Sequence, residues 1–278
     1  MYKRIDLHLH TTASDGRITP EELVQIAAEQ GIGVIAITDH DTVGGIEPAL
    51  CAVDCFPYVT VIPGIEINTD IHGGEVHILG YFIDYKNERL LRTLSNLRND
   101  REIRAQKMVD KLGKLGIFIE WERVMEISDG GSIGRPHIAQ AMFEGKHVSS
   151  LQDAFERYIG RNGPAYAERE RLSPREAVRL IAEADGLPVL AHPATIQDID
   201  KTIIDLKQEG LIGIEVYYDN YNQTTIERLK MLADRYDLIA TGGSDFHGFE
   251  DKHETPLGEA NVPWECAERL IAMSRQRV

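Results

Sequence analysis

The chain has 278 residues and a formal net charge of −15, and 42% of its residues are hydrophobic. That length suits one large domain or two ordinary ones, and the acidic balance argues against a protein whose whole surface binds nucleic acid. The sequence has no run of eighteen apolar residues, begins with charge where a signal peptide needs an apolar segment, and contains three cysteines. We therefore expect a cytoplasmic protein with no membrane partner and no disulfide framework.

The first helix is clearly marked in the sequence. Thr19 is a candidate N-cap, Pro20 suits the first helical position, and Glu22 completes a capping box. Apolar residues at positions 23, 26 and 27 have the spacing of one buried helix face, and Gly31 is suited to end the helix. These signals predict an amphipathic helix that starts at position 20.

Seven short apolar runs have the character of strands buried on both faces. They are Ile5–Leu9, Val34–Thr38, Tyr58–Ile65, Val76–Phe82, Leu187–Ala191, Leu211–Val216 and Leu238–Ala240. Several runs are separated by helical patterns. Such alternation predicts an α/β fold in which a parallel sheet closes, or nearly closes, into a barrel.

The middle of the chain has a different character. Residues 99–182 contain 14 Lys and Arg against 13 Asp and Glu, whereas the rest of the chain contains 16 against 32. Residues 101–115 and 173–184 have helical patterns, and strand signals are few. We therefore predict a mostly helical inserted subdomain at 99–182, within a barrel domain made of residues 1–98 and 183–278.

Histidines and carboxylates are concentrated where the predicted strands end. His8 and His10 stand two apart on the first strand, so their side chains point to one face. Others stand mostly at C-terminal strand ends, which meet at one mouth of a barrel: Asp15, His40, Glu66, His77, His192, Asp245 and His247. A lone histidine at a strand end is usually structural. Burying nine titratable groups without cations would cost more than their mutual hydrogen bonds return, so the sequence predicts a multi-metal site.

Six segments carry a family resemblance: Asp6–Thr11, Ser14–Gly16, Thr38–Asp41, Gly64–Glu66, Ala191–Pro193 and Gly243–His247. Together they resemble the motifs of the PHP (polymerase and histidinol phosphatase) family. The resemblance implies a distorted seven-stranded (β/α)7 barrel that holds three divalent metal ions. It also implies a metal-dependent phosphoesterase, a hydrolase of phosphoric monoesters or diesters.

The resemblance further implies three ligand sets, which together make up the catalytic residues. One ion would be held by His8, His10, Glu66 and Asp245, a second by Glu66, His77 and His192, and a third by Asp15, His40 and His247. Mixed imidazole and carboxylate ligands suit Mn²⁺, with Fe²⁺ or Zn²⁺ as alternatives. A carboxylate shared by two ions sets them about 3.5–4 Å apart, the spacing at which a metal-bridging hydroxide can attack a phosphoester.

The identity of the substrate is suggested by Asp15 and by two segments of the insert. Asp15 together with Gly134–Ala139 and Gly160–Tyr166 resembles the nucleotide phosphatase branch of the family. Members of that branch act on AMP, on nucleoside 3′,5′-bisphosphates or as exonucleases on short 5′-phosphorylated RNA. The resemblance therefore implies a small nucleotide or a short single-stranded RNA as substrate, rather than duplex nucleic acid, and an insert that caps the active site.

Four residues of the insert are candidates for binding the substrate. Arg135 could grip a phosphate through two hydrogen bonds, next to His137, or it could simply stand at the start of a helix in which His137 packs. Arg161 is a weaker candidate, and Tyr166 could stack on a base or pack within the insert.

Three residues near the predicted ligands are candidates for supporting roles. Asp39 and Asp41 flank His40 and are predicted to orient imidazoles. Glu215 follows an apolar run and is a candidate pocket residue.

Two other functions compete with phosphoester hydrolysis. An amidohydrolase or deaminase also begins with two histidines on a barrel strand, but it would not need a third metal set and would leave the phosphate-binding arginine without a role. A non-catalytic metal-binding regulatory module becomes the better interpretation when ligands are lost. Every expected ligand position is filled here, so the sequence favours the phosphoesterase.

Overall fold

The computed structural model describes residues 4–71, 74–128, 133–167, 172–218, 221–249 and 254–276. The strands are β1 (Arg4–Asp6), β2 (Ile32–Ile37), β3 (Thr60–Ile71), β4 (Gly74–Tyr81), β5 (Leu187–Leu190), β6 (Gly213–Tyr218) and β7 (Ile239–Gly243). The helices are α1 (Pro20–Glu29), α2 (Ile46–Ala52), α3 (Glu88–Lys114), α4 (Trp121–Ser128), α5 (Arg135–Glu144), α6 (Leu151–Ala154), α7 (Pro174–Glu183), α8 (Ile199–Lys207), α9 (Gln223–Arg235) and α10 (Trp264–Arg275). Within these described ranges, no helix is long and apolar enough to cross a lipid bilayer.

The seven strands form one sheet in which each strand pairs with its neighbours in chain order. The first and last strands also approach each other. The backbone N–H of Leu7 donates to Gly242 O at 3.2 Å, and Leu9 forms a parallel bridge with Phe246. The sheet is therefore a nearly closed barrel, and the predicted seven-stranded α/β fold is confirmed.

The barrel differs from a fully parallel one at β4, which runs antiparallel to both β3 and β5. Only two residues separate β3 from β4, whereas a parallel connection needs a dozen or more. The register pairs Glu66 with Leu79 and Asn68 with His77. Since His77 is two residues from the partner of Glu66, both side chains stand on the same face of the sheet.

The predicted start of α1 is present as a capping box. The Thr19 hydroxyl accepts from Glu22 N at 3.3 Å, and the Glu22 carboxylate accepts from Thr19 N at 3.1 Å. Pro20 is the first helical residue, and Gly31 follows the helix with a φ of +71°. The cap fixes the point at which the loop after β1 ends.

The chain divides into two compact units. We call residues 1–92 with 171–278 the barrel unit and residues 93–170 the helical unit. The predicted insert, 99–182, differs from the helical unit mainly because it included α7. That helix packs on β3, β4 and β5 of the barrel unit, where Ile181 lies against Gly80.

Each unit has its own apolar core. In the barrel unit, strand residues pack with α10, and the cluster includes Ile5, Leu7, Val34, Ala36, Ile62, Val189, Ala267 and Leu270. In the helical unit, buried residues of α3, α4 and α5 pack together, among them Met108, Leu112, Val124, Ile138 and Met142. Since side chains alternate along an extended segment, the apolar positions 5 and 7 leave Asp6, His8 and His10 on the opposite face.

Candidate metal centre

All nine predicted metal ligands lie in the barrel unit. Six stand in segments that follow a strand: His8, His10, His40, His192, Asp245 and His247. Glu66 lies within β3, His77 within β4, and Asp15 in the loop between β1 and α1. Side-chain contacts of 2.9 to 3.9 Å connect all nine. We call this group the histidine–carboxylate cluster.

Glu66 is the central residue of the cluster and is 1% exposed. Its Oε2 atom lies 3.2 Å from His8 Nε2, 3.3 Å from His10 Nε2 and 3.0 Å from His40 Nδ1. Its Oε1 atom lies 2.9 Å from His77 Nδ1 and 3.1 Å from His192 Nε2. The two oxygens of one carboxylate thus face different imidazoles, the arrangement that a carboxylate shared between two ions requires.

Two further carboxylates extend the cluster on either side of His10. Asp245 Oδ1 lies 2.9 Å from His10 Nε2 and 3.3 Å from His8 Nε2. Asp15 lies 3.7 Å from His10 Nδ1, 3.6 Å from His247 Nε2 and 3.8 Å from His40 Nε2. His10 therefore turns one ring nitrogen toward each of these two carboxylates.

Three sets of ligand atoms are close enough together to hold a metal ion. The sets are His8, His10, Glu66 and Asp245; then His10, Asp15, His40 and His247; then His40, Glu66 and His77. The first coincides with a predicted set, and the second contains another together with His10. The third has His40 where His192 was expected, although His192 contacts the same Glu66 oxygen as His77. The assignment of individual ions to these sets remains a prediction.

The chemistry of the cluster fits divalent cations. Seven of its buried nitrogen and oxygen atoms have no hydrogen-bond partner among the described residues: His8 Nε2, His10 Nδ1, His10 Nε2, His40 Nδ1, Glu66 Oε2, His77 Nε2 and Asp245 Oδ1. Leaving one buried polar atom unpaired costs about 1–3 kcal/mol. Seven such atoms facing one another are therefore better explained as ligands than as hydrogen-bonding groups.

The electrostatics of the cluster also favour bound positive charge. Burial opposes ionisation of Glu66, but the imidazoles of His40, His8 and His77 outweigh it and hold the pKa of Glu66 well below its usual range. Burial likewise opposes protonation of His10, yet the close carboxylates of Asp245 and Glu66 raise the pKa of His10 to about 10. Divalent cations would meet the demand for positive charge that these shifts reveal.

The close approach of β1 and β7 builds the floor of the cluster. At Gly243, a Cβ atom would lie 2.4 Å from His8 N, so only glycine fits there. Asp6 accepts from Ser244 N at 2.9 Å, from the Ser244 hydroxyl at 2.6 Å and from Gly258 N at 2.8 Å. Burial raises the pKa of Asp6 to about 6, although these hydrogen bonds act to lower it.

Glu215 and Tyr218 of β6 form hydrogen bonds that hold members of the cluster in place. Glu215 Oε1 accepts from His8 Nδ1 at 3.0 Å, which leaves Nε2 of that ring toward Glu66, and Oε2 accepts from His192 N at 2.7 Å. Tyr218 donates its hydroxyl to Asp245 Oδ2 at 2.7 Å, so Oδ1 faces the imidazoles. The sequence suggested Glu215 only as a pocket residue and gave no indication of Tyr218. A charged residue inside an apolar strand was the available signal.

Asp39 and Asp41 form hydrogen bonds to the chain segments on either side of the cluster, and their predicted role in orienting imidazoles stays a prediction. Asp39 Oδ1 accepts from Thr11 N and from the Ser14 hydroxyl, each at 2.7 Å. Asp41 accepts from Asn68 N and from Asn68 Nδ2, each at 3.0 Å. The described contacts therefore fix the loop after β1 and the backbone of β3, which carry the ligands themselves.

Two of the four candidate substrate-binding residues lie at the start of α5 in the helical unit. Arg135 is the first residue of that helix, and its guanidinium carbon is 5.8 Å from the centroid of the Phe155 ring. His137 Nδ1 accepts from Gly134 N at 3.0 Å, so this side chain caps the helix. This contact agrees with a structural role for His137. The role of Arg135 in binding substrate stays a prediction.

The other two candidates follow α6. Arg161 is exposed. The ring of Tyr166 lies beneath the Arg104 guanidinium, whose carbon is 5.2 Å from the ring centroid. Because Arg104 is itself 8% exposed, Tyr166 packs within the helical unit. Stacking of Tyr166 on a base also remains a prediction.

Known proteins resemble this chain over most of its length. The sequence matches the PHP domain family over residues 6–168. A 5′-3′ exoribonuclease of Haemophilus influenzae is 35% identical over 89% of this chain and 91% of its own length. A 3′,5′-nucleoside bisphosphate phosphatase of Chromobacterium violaceum is 32% identical over 87% of each chain. The crystal structure of a metal-dependent phosphoesterase from Bifidobacterium adolescentis, 30% identical, has a TM-score of 0.85 and covers 98% of this chain and 96% of its own.

Proposed function

This chain is a metal-dependent phosphoesterase of the PHP domain family, and we propose that it hydrolyses the phosphate of a small nucleotide or acts at the 5′ end of short oligoribonucleotides. AMP and nucleoside 3′,5′-bisphosphates are the nucleotides we favour. The names of two relatives, an exoribonuclease and a bisphosphate phosphatase, support this substrate class. We favour phosphoester hydrolysis over the amidohydrolase and regulatory-module interpretations, because two relatives that match most of this chain are named for phosphoester hydrolysis, although one similar crystal structure is described as an amidohydrolase.

The observation that carries the proposal is the geometry of Glu66, whose two oxygens face separate groups of imidazoles. We propose that Glu66 is shared by two ions and that Asp15 and His247 contribute to holding a third. Mn²⁺ suits these mixed ligands, with Fe²⁺ or Zn²⁺ as alternatives. Divalent ions bound there would polarise the phosphoryl oxygens and acidify a water nucleophile.

The exposure of the ligands indicates where a phosphate would approach. His8 and His10 are fully buried, and Glu66 is nearly so, so they form the floor of the site. The side chains of Asp15, His192 and Asp245 are 50, 25 and 21% exposed and line its open side. We expect a phosphate to reach the cluster where these side chains are exposed.

Arg135 is the insert residue whose proposed contact with substrate can be tested most directly. A charge-assisted hydrogen bond to phosphate is worth about 1.5–3 kcal/mol, so Arg135→Ala should lower kcat/KM roughly 10- to 150-fold. Lys at this position should rescue only part of the loss, because an ammonium lacks the two-pronged geometry. Bound metal should stay unchanged. Normal kcat/KM with reduced thermal stability would show that Arg135 is structural.

The substrate class is tested by measuring phosphate or nucleotide release with Mn²⁺. The substrates are AMP, adenosine 3′,5′-bisphosphate, a short 5′-phosphorylated RNA and histidinol phosphate. We expect at least one nucleotide substrate to exceed histidinol phosphate in kcat/KM. His77→Ala should lose this activity, whereas the matched control His147→Ala, outside the cluster, should keep it. A higher kcat/KM for histidinol phosphate than for every nucleotide would overturn the proposal.

A further inference from the structure

Arg17 and Phe249 lie at the edge of the histidine–carboxylate cluster and extend it outward. The ring of His10 stacks on that of His247, with centroids 4.1 Å apart and planes 12° from parallel. His247 in turn stacks on Phe249, with centroids 5.7 Å apart and planes 19° from parallel. The guanidinium carbon of Arg17 lies 5.1 Å from the centroid of the Phe249 ring. The rings of His10, His247 and Phe249 are thus stacked in sequence, from the buried cluster to the exposed guanidinium of Arg17.

Backbone contacts fix this pair in place. Arg17 N donates to His247 O at 2.7 Å. Gly248 has a φ of +76°, and a Cβ atom there would lie 2.7 Å from Ile18 Cγ1, so the two loops are in close contact. Glu254 accepts from the backbone N–H groups of His247 and Gly248 at 2.6 and 3.0 Å. The loops after β1 and β7 therefore hold the backbones of Arg17 and Phe249 next to the cluster.

The guanidinium of Arg17 has a different environment from three exposed arginines of the barrel unit that form ion pairs. Arg175 and Arg179 pair with Glu209, and Arg235 pairs with Asp200. Arg17 has no carboxylate or hydrogen-bond acceptor among the residues that the structure describes, and its contact is with the face of an aromatic ring. Among the residues described, none occupies the N–H donors of this guanidinium, which suits them to binding an anion.

The neighbouring side chains make this pair suitable for a nucleotide. Phe249 is 43% exposed, a large fraction for an aromatic ring that touches a buried cluster. A guanidinium held on the face of a ring loses less freedom when it binds an anion than a free side chain does. Phosphate oxygens match that fork through two parallel hydrogen bonds.

We propose that Arg17, supported by Phe249, binds a second phosphate of the substrate, next to the phosphate that is hydrolysed. This inference rests on the proposed nucleotide substrate and narrows it. The preferred substrates carry two phosphate groups, either as a nucleoside bisphosphate or as a 5′-phosphorylated oligonucleotide, and a mononucleotide leaves Arg17 without a ligand. Arg17 is then a residue that determines specificity.

The test compares kcat/KM for three substrates: AMP, adenosine 3′,5′-bisphosphate and a 5′-phosphorylated dinucleotide. Arg17→Ala should lower kcat/KM at least about 10-fold for one or both substrates with two phosphates, as expected for one charge-assisted contact, and change it less than about 2-fold for AMP. Both substrates carry a 5′-phosphomonoester that survives cleavage of the dinucleotide phosphodiester or of the 3′-phosphate, so loss on both would identify that group as the ligand of Arg17. Loss on one alone would show that Arg17 binds the second phosphate of that substrate only. Arg17→Lys should lose less, and Phe249→Ala should show a smaller loss with the same substrate pattern.

A matched control removes one positive charge elsewhere on the barrel unit. Arg235→Ala, at a residue 58% exposed and paired with Asp200, should leave all three values unchanged. If the kcat/KM of each two-phosphate substrate relative to that of AMP is the same in wild type and in Arg17→Ala, Arg17 does not bind a second phosphate. That result would leave the proposed nucleotide substrate class standing. If the wild type hydrolyses none of the three substrates, the nucleotide proposal itself is overturned, and the inference with it.

Discussion

Glu66 is the residue on which the cluster depends most, since it alone contacts five imidazoles. Replacing it with alanine removes the carboxylate that two ions would share. We expect Glu66→Ala to abolish turnover and to reduce bound metal measured by elemental analysis after dialysis. Its melting temperature in Mn²⁺ should fall, because ions that bind only the folded state stabilise it by mass action.

The matched control for this experiment is Glu47→Ala, at an exposed glutamate whose described ion pair is with Lys86. It should keep full activity and metal content. Full activity and unchanged metal in Glu66→Ala would remove Glu66 from its assigned position at the centre of the site.

Glu215 gives a second prediction, which separates orienting a ligand from being one. Its carboxylate accepts from the ring of His8 and from the backbone of His192. In Glu215→Gln the side chain keeps its size but has one acceptor oxygen instead of two. Partners of metal-bound histidines typically contribute 10- to 100-fold to affinity, so Mn²⁺ affinity should fall by about that factor. Activity at saturating Mn²⁺ should return close to that of the wild type, and a metal affinity unchanged in a competition titration with a chelator would contradict this role.

The residues that form the histidine–carboxylate cluster could be found in the sequence, and so could Glu215, whereas Tyr218 could not. His8 and His10 are indicated by their spacing on a strand, and most other members of the cluster by their positions at the ends of apolar runs. Tyr218 is different, because an aromatic residue at the end of β6 fits any half-buried strand position. Only the placement of β6 beside β7 brings its hydroxyl to Asp245. Such a contact depends on tertiary structure and leaves no local pattern.

At the scale of elements, the contact between β1 and β7 is the most demanding feature. Gly243→Ala would place a methyl group 2.4 Å from His8 N, and backbone cannot yield as a flexible side chain does. We expect a large loss of melting temperature and of bound metal. Gly113→Ala is the matched control, because a Cβ atom there meets nothing within 4 Å and the residue lies in α3. It should be neutral or stabilise by up to about 1 kcal/mol, and equal melting temperatures for both variants would contradict the close packing at Gly243.

The elements differ in how far local signals specify them. The capping box of α1 is a contact between residues three apart, so the sequence contains all of it. The antiparallel direction of β4 follows from its short connection to β3. The hydrophobic pattern of the sequence predicts a strand there, but it does not predict whether that strand pairs parallel or antiparallel. The capping box of α7 likewise marks where that helix starts. It does not indicate whether the apolar face of α7 packs in the barrel unit or in the helical unit. The predicted insert therefore includes α7, whereas the helical unit does not.

For the whole molecule, the distribution of charge is consistent with the proposed chemistry. Outside residues 99–182 the chain contains twice as many acidic as basic residues, and the cluster lies in that acidic part. Such a field attracts divalent cations and repels a polyanionic substrate. The bound ions and a few arginines, rather than the overall surface, would therefore have to provide the attraction for phosphate. This division of charge agrees with a substrate that is small or short.

The most direct test of this account is a titration of metal-free wild-type protein with Mn²⁺. Bound metal per chain and hydrolysis of adenosine 3′,5′-bisphosphate are measured on the same samples, with the short 5′-phosphorylated RNA as a second substrate. The account predicts no hydrolysis without metal, and activity that rises as ions bind and levels off at three per chain. Full activity in protein that holds no metal, or activity that levels off at a single bound ion, would contradict it.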